Sequence, residues 1–243
     1  MKKIKLSEYK GIVFDLDDTL IDRKEAYNKV FSTLYHENEL FQKKFSFDDA
    51  MSFFWSLSPN NSLDVKKAYI EIKKTIPDFK FNYQDFYEYY YENLVKNIKP
   101  YTGVKKFLDK LIEKKINFGI VTNGGKYQYE KVKNTGLEGK YNFLIASEIF
   151  GSSKPNIEIY LETLRQLKLT DKDVENILFI GDNPYTDIKG AQRIGFKTVW
   201  IKMDGSNYPD NLSPPNYIIE LSLIHISEPT RRTPISYAVF CLK

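Results

Sequence analysis

The stretch GIVFDLDDTL (11–20) decides how the chain is read. Ile12, Val13 and Phe14 are apolar on successive residues, the pattern of a strand covered on both faces rather than on one. Three carboxylates come next, Asp15, Asp17 and Asp18, with Thr19 behind them. Four later runs repeat the apolar half of this pattern: NFGIV (117–121), FLIA (143–146), ILFI (177–180) and TVWI (198–201). NYIIE (216–220) is a candidate last strand. Amphipathic helical patterns over 103–114, 126–135, 156–168 and 186–194 lie around and between them. Strand alternating with helix predicts an α/β fold with a doubly wound parallel sheet.

Residues 22–99 have a different texture. They hold no comparable strand run, are rich in Phe and Tyr, and read as several helices. Ser46, Ser62 and Asn82 stand where N-caps would, and Pro59 and Pro77 punctuate between helices. The expected division is therefore an α/β core of residues 1–21 and 100–220 interrupted by an all-helical insertion, 22–99. Phe53, Phe54, Trp55, Tyr83, Phe86, Tyr87 and Tyr89 to Tyr91 are read as core and surface of that insertion, and His36 as a structural or exposed helix residue.

The last 23 residues, LSLIHISEPTRRTPISYAVFCLK (221–243), are similar to a translated sequencing-library adapter and show neither helical nor sustained strand periodicity. They are set aside as a non-native tail. The only Cys, Cys241, and His225 go with them and leave His36 as the single His. Cysteine, zinc-histidine and Ser-His-Asp chemistry are thereby excluded.

Over the full 243 residues, 36 Lys and Arg stand against 32 Asp and Glu, a net charge of +4. The charges are interspersed, so composition gives no reason to expect a nucleic-acid partner. No run approaches the roughly 18 apolar residues of a membrane span. The basic start, MKKIKLSEYK, has no apolar stretch of the signal-peptide kind. A cytoplasmic protein without membrane or nucleic-acid partners is expected.

In an open α/β sheet the ligand site lies beyond the carboxyl ends of the strands. Those ends present Asp15 and Asp17, then Thr122-Asn123-Gly124-Gly125, then a loop to Lys154, then Gly181-Asp182 with Asp187 five residues on. Several carboxylates converging on one point repel unless a cation lies among them, and oxygen ligands suit Mg²⁺. A Lys, a hydroxyl and backbone amides can hold anionic oxygens. A carboxylate can also act as nucleophile, and a second one nearby as acid and base.

These motifs resemble those of the haloacid dehalogenase superfamily of phosphohydrolases. FDLDDTL (14–20), GIVTNGG (119–125), SSKPNIEIY (152–160) and GDNPYTD (181–187) match its four motifs in order. The resemblance implies a Mg²⁺-dependent phosphomonoesterase. Asp15 is then the nucleophile and Asp17 the acid and base. Thr122, Asn123, Gly124 and Lys154 bind phosphate. Asp15, the Asp17 carbonyl and Asp182 hold the metal, and Asp187 orients Lys154 or metal-bound water. The helical insertion is then a cap over a small phosphorylated metabolite, in a monomer or homodimer.

Within the family the reading leans to nucleoside 5′-monophosphates, with phosphoglycolate or sugar-phosphate phosphatase close behind. A phosphomutase stays open, although Thr19 leans to hydrolases. Asp17 and Asp182 count against a haloacid dehalogenase, which needs no metal. A non-catalytic module on this fold is expected to have lost one of Asp15, Asp17, Lys154 and Asp182, and all four are present.

Overall fold

A computed structural model describes residues 4–58, 63–203 and 205–220, together with the backbone of Phe240 and Cys241. The chain divides into two compact units, Asp22–Lys99 and a second formed by Met1–Ile21 with Pro100–Lys243.

The second unit is built on a six-stranded sheet. Its strands are β1 (Gly11–Phe14), β2 (Phe118–Thr122), β3 (Leu144–Ala146), β4 (Ile177–Gly181), β5 (Lys197–Lys202) and β6 (Tyr217–Glu220). They lie in the order β3-β2-β1-β4-β5-β6, and every neighbouring pair is parallel. Every residue of β1, β2 and β4 is buried, as their unbroken apolar runs require. The strand order reverses between β1 and β4, which pair with Val13 opposite Phe179 and Phe14 opposite Ile180. A doubly wound sheet opens its ligand crevice beyond the carboxyl ends at such a reversal.

The inserted unit holds α1 (Arg23–Glu37), α2 (Glu39–Lys44), α3 (Phe47–Ser56), α4 (Val65–Thr75) and α5 (Tyr83–Asn97). Its core is aromatic: Phe31 stacks on Phe54 at 4.3 Å between centroids, and Phe41 and Phe79 continue the cluster. Ser46 caps α3 and Asn82 caps α5, each accepting the N–H of the residue three ahead. Ser62 lies outside the described residues; α4 begins at Val65 and is capped by Asp64, whose carboxylate accepts the Lys67 N–H at 3.0 Å. Asp serves this position as well as Ser does, so the cap falls two residues beyond the expected one. A cleft of about 870 Å³ runs along α1 and α3, lined by Asn28, Ser32, Phe47, Met51 and Trp55 among others.

The sheet is flanked by α6 (Val104–Glu113), α7 (Tyr127–Asn134), α8 (Ser147–Phe150), α9 (Ile157–Leu167) and α10 (Lys189–Arg193). Tyr160, Leu164 and Leu167 of α9 and Ala191 of α10 pack with Val13, Val121, Ile177 and Phe179 of the sheet. The helical pattern over 186–194 is realised differently from its expectation. A wide π-helical turn over Pro184–Ile188 comes first, and α10 is only 5 residues long. The Asn183 carboxamide accepts the Tyr185 and Thr186 N–H groups and so fixes the turn. The tail assignment lies outside the described residues, apart from Phe240–Cys241, whose backbone pairs in parallel with Ile4–Lys5.

Phe54 is fully buried between Phe31 and Phe41. Phe54→Ala is expected to lower stability by about 3–5 kcal/mol, the loss of a buried ring plus the cavity it leaves. The shift of the urea midpoint at constant slope checks it.

Candidate active site

Asp15 lies directly after β1, and its N–H donates to the Ile180 carbonyl at 2.9 Å. That bond extends the pairing of β1 with β4 and ties Asp15 beside Gly181-Asp182. Lys154 enters from the loop between α8 and α9. Its Nζ donates to Asp15 Oδ1 at 2.5 Å, to Asp187 Oδ1 at 2.7 Å and to the Val121 carbonyl at 2.9 Å. All three side chains are buried. The Phe179 ring lies 5.6 Å from the ammonium, a cation–π contact from the centre of β4.

Lys154 is held by its backbone as well. The Asn123 carboxamide accepts the Lys154 N–H at 2.9 Å and donates to its carbonyl at 3.0 Å, a two-point latch between two strand ends. Asp187 is fixed on its other oxygen by the Asn183 N–H at 3.0 Å. It also packs directly over Gly181, where a Cβ would overlap Asp187 Oδ2. The Trp200 indole donates to the Asp182 carbonyl at 2.7 Å. Tyr160 donates to the Thr186 carbonyl and reaches it across Gly190, where a Cβ would overlap the phenol oxygen.

One carboxylate oxygen each from Asp15, Asp182 and Asp187 lies within 4.8 Å of the others. Lys154 contacts Asp15 and Asp187, so among these four groups three carboxylates stand against one ammonium. Burial pushes the Asp15 carboxyl up to about 7; the Lys154 ammonium opposes that rise, and the Asp187 and Asp17 charges add to it. Burial also works against the Lys154 charge, but Asp15 and Asp187 outweigh it and hold the ammonium above the usual lysine range. An oxygen-only cluster with more carboxylates than ammonium groups, buried at Asp15 and Asp187 and half-buried at Asp182, fits a hard divalent cation in both charge and donor type.

Asp17 belongs to a separate group. Its two carboxylate oxygens each accept from Lys131 Nζ at 2.8 Å, and Oδ2 also accepts from Gln128 Nε2 at 3.1 Å. The same Gln128 nitrogen donates to Thr122 Oγ1 at 2.9 Å and to the Asn123 carbonyl at 2.6 Å. A tight turn brings Asp17 there: Asp18 adopts a left-handed φ of 60°, and Leu20 N–H returns to the Leu16 carbonyl at 2.9 Å. Asp tolerates that conformation better than most residues. The Gly124 N–H donates to Ser147 Oγ at 3.0 Å.

The structure thus brings Asp15, Lys154, Asp182 and Asp187 into one cluster and links Asp17 to Thr122 through Gln128. The Asn123 side chain latches Lys154, and the Gly124 amide is engaged by Ser147. Lys131 and Gln128 do not stand out in the sequence. Their signal is a buried polar pair three residues apart on α7, and spacing alone does not distinguish that from an exposed polar face.

The haloacid dehalogenase-like hydrolase family model matches residues 12–201. Similar curated proteins include a glyceraldehyde 3-phosphate phosphatase of Pyrococcus abyssi, 25% identical over 214 residues, which cover 79% of this chain and 81% of that one. A phosphoglycolate phosphatase of Aquifex aeolicus is 29% identical over 227 residues, 89% of this chain and 98% of the other. The pyrimidine 5′-nucleotidase YjjG of Escherichia coli is 30% identical over a shorter span, 116 residues, 47% of this chain and 50% of its own. With the matched region running from β1 to β5 and through every strand end that carries the cluster, the chain belongs to the haloacid dehalogenase-like hydrolases.

Proposed function

We propose that this chain is a Mg²⁺-dependent phosphoric monoester hydrolase that works through an aspartyl phosphate on Asp15. The observation that carries the reading is the close grouping of Asp15, Asp182 and Asp187 beside Lys154, with Asp17 paired to Lys131. Asp15 and Asp182 would hold the cation together with the Asp17 carbonyl. Asp187 has both oxygens hydrogen-bonded within the chain, and its role is to orient Lys154. When bound, the cation neutralises the carboxylate surplus and the phosphoryl charge.

Asp15 attacks phosphorus, and the bond from phosphorus to the ester oxygen breaks. With its carboxyl group protonated, Asp17 passes that proton to the departing oxygen and is left ionised against Lys131. Asp17 then takes a proton from water, which attacks the aspartyl phosphate and releases inorganic phosphate and free Asp15. Thr122 Oγ1 and the Lys154 ammonium steady the phosphoryl oxygens.

Phosphorylated small acids and sugars or aldehydes come first as substrates. The relatives matched over about four fifths of their length or more are named for glyceraldehyde 3-phosphate and phosphoglycolate. The match to the nucleotidase spans half of each chain, so nucleoside 5′-monophosphates come second.

Hydrolysis of p-nitrophenyl phosphate is expected to require Mg²⁺, and Asp15→Asn is expected to reduce it to background. A mutant as active as the wild type would remove Asp15 as nucleophile. A screen of phosphoglycolate, triose phosphates, hexose phosphates, UMP and dUMP ranks the substrates.

The raised Asp15 carboxyl has a consequence for stability. Its folded value, about 7, lies above the ordinary 3.8, so the folded state binds more protons between the two. Without a divalent ion, stability is expected to fall as pH rises through that window. Mg²⁺ is expected to reduce the fall and to raise the melting temperature most near neutral pH, where the carboxylate surplus is greatest. A metal-free melting temperature that climbs from about pH 4 to about pH 7 would contradict this.

A further inference from the structure

Lys131 and Gln128 stand one turn apart on α7 and are both buried. Neither belongs to the four motifs. A buried ammonium is costly, and a pair of this kind adds little net stability compared with apolar side chains of similar volume. Here both polar ends turn to one carboxylate. Lys131 Nζ spans the two Asp17 oxygens at 2.8 Å each, and Gln128 Nε2 reaches Oδ2 at 3.1 Å. Gln128 meanwhile leaves its own carbonyl oxygen buried without a hydrogen-bond partner among the described residues. The amide is therefore turned to donate, at the expense of its acceptor.

We propose that Lys131 and Gln128 are positioning residues that together fix the plane of the Asp17 carboxyl group. Gln128 also binds Thr122 Oγ1 at 2.9 Å, so one helix face sets the phosphate-facing hydroxyl and the proton donor relative to each other. The assignment rests on the phosphatase reading, since it gives Asp17 the task of protonating the departing oxygen. Proton delivery demands hydrogen-bond geometry, with donor and acceptor about 2.6–3.2 Å apart. A carboxyl group freed to rotate loses that geometry while the phosphoryl-binding groups stay in place.

The leaving group provides the readout. A p-nitrophenolate ion departs without a proton, whereas an alkoxide does not. The value of kcat/KM covers steps only up to formation of the aspartyl phosphate, so the later attack of water does not enter it. In Lys131→Met, kcat/KM for an alkyl ester such as phosphoglycolate is expected to fall about tenfold to a hundredfold. The fall with p-nitrophenyl phosphate should be several times smaller. Lys131→Arg should restore most of the loss, because a guanidinium also spans two carboxylate oxygens. Gln128→Met should show the same selective loss in milder form, and it decides the matter if Lys131→Met does not fold. Equal losses with both esters, or none with either, would overturn the proposal while leaving the phosphatase reading intact. A wild-type protein that hydrolyses neither ester in Mg²⁺ removes both.

Discussion

The site depends on an ammonium ion buried among carboxylates. Lys154 Nζ touches Asp15, Asp187 and the Val121 carbonyl, and so joins three strand ends at one atom. A lone buried charge is expensive, and removing one partner of a buried pair leaves the other uncompensated. The surrounding contacts keep this atom in place. Asn123 latches its backbone, Phe179 lies under its head, and Gly181 leaves room for Asp187 to stand beside it.

The acidic residues fall into two electrostatic classes despite their closeness in sequence. Asp15 and Asp187 share a single ammonium, and Asp182 brings a third carboxylate within 4.8 Å of both. Asp17 pairs with Lys131 at 2.8 Å. The first arrangement suits a hard cation, and the second sets the Lys131 ammonium against Asp17. Two carboxylates two residues apart can then take different chemical roles because their surroundings differ.

The rest of the sheet unit works as rigid support. The Tyr160 hydroxyl and the Trp200 indole each bind a carbonyl of the segment that carries Asp182 and Asp187. Both aromatic side chains are buried, Tyr160 on α9 and Trp200 on β5. Loops fixed in this way keep reactive groups in register without help from a ligand, as a preorganised site requires.

The sequence by itself determined the strands, their parallel arrangement and the strand-end residues that gather at the crevice. Runs such as GIVF and ILFI have one stable use, as interior strands, and a doubly wound sheet gathers their carboxyl-terminal neighbours along one edge. It also marked the caps at Ser46 and Asn82, whose side chains act on backbone only three residues away. Tertiary structure alone decided the partners of those strand-end residues. Asp17 meets Lys131 across 114 positions, and Lys154 meets Asp15 across 139. The Asn123 side chain binds the Lys154 backbone. Local propensity and periodicity act over a few residues, whereas the pairing of buried charges is settled by which groups the folded chain excludes from water together.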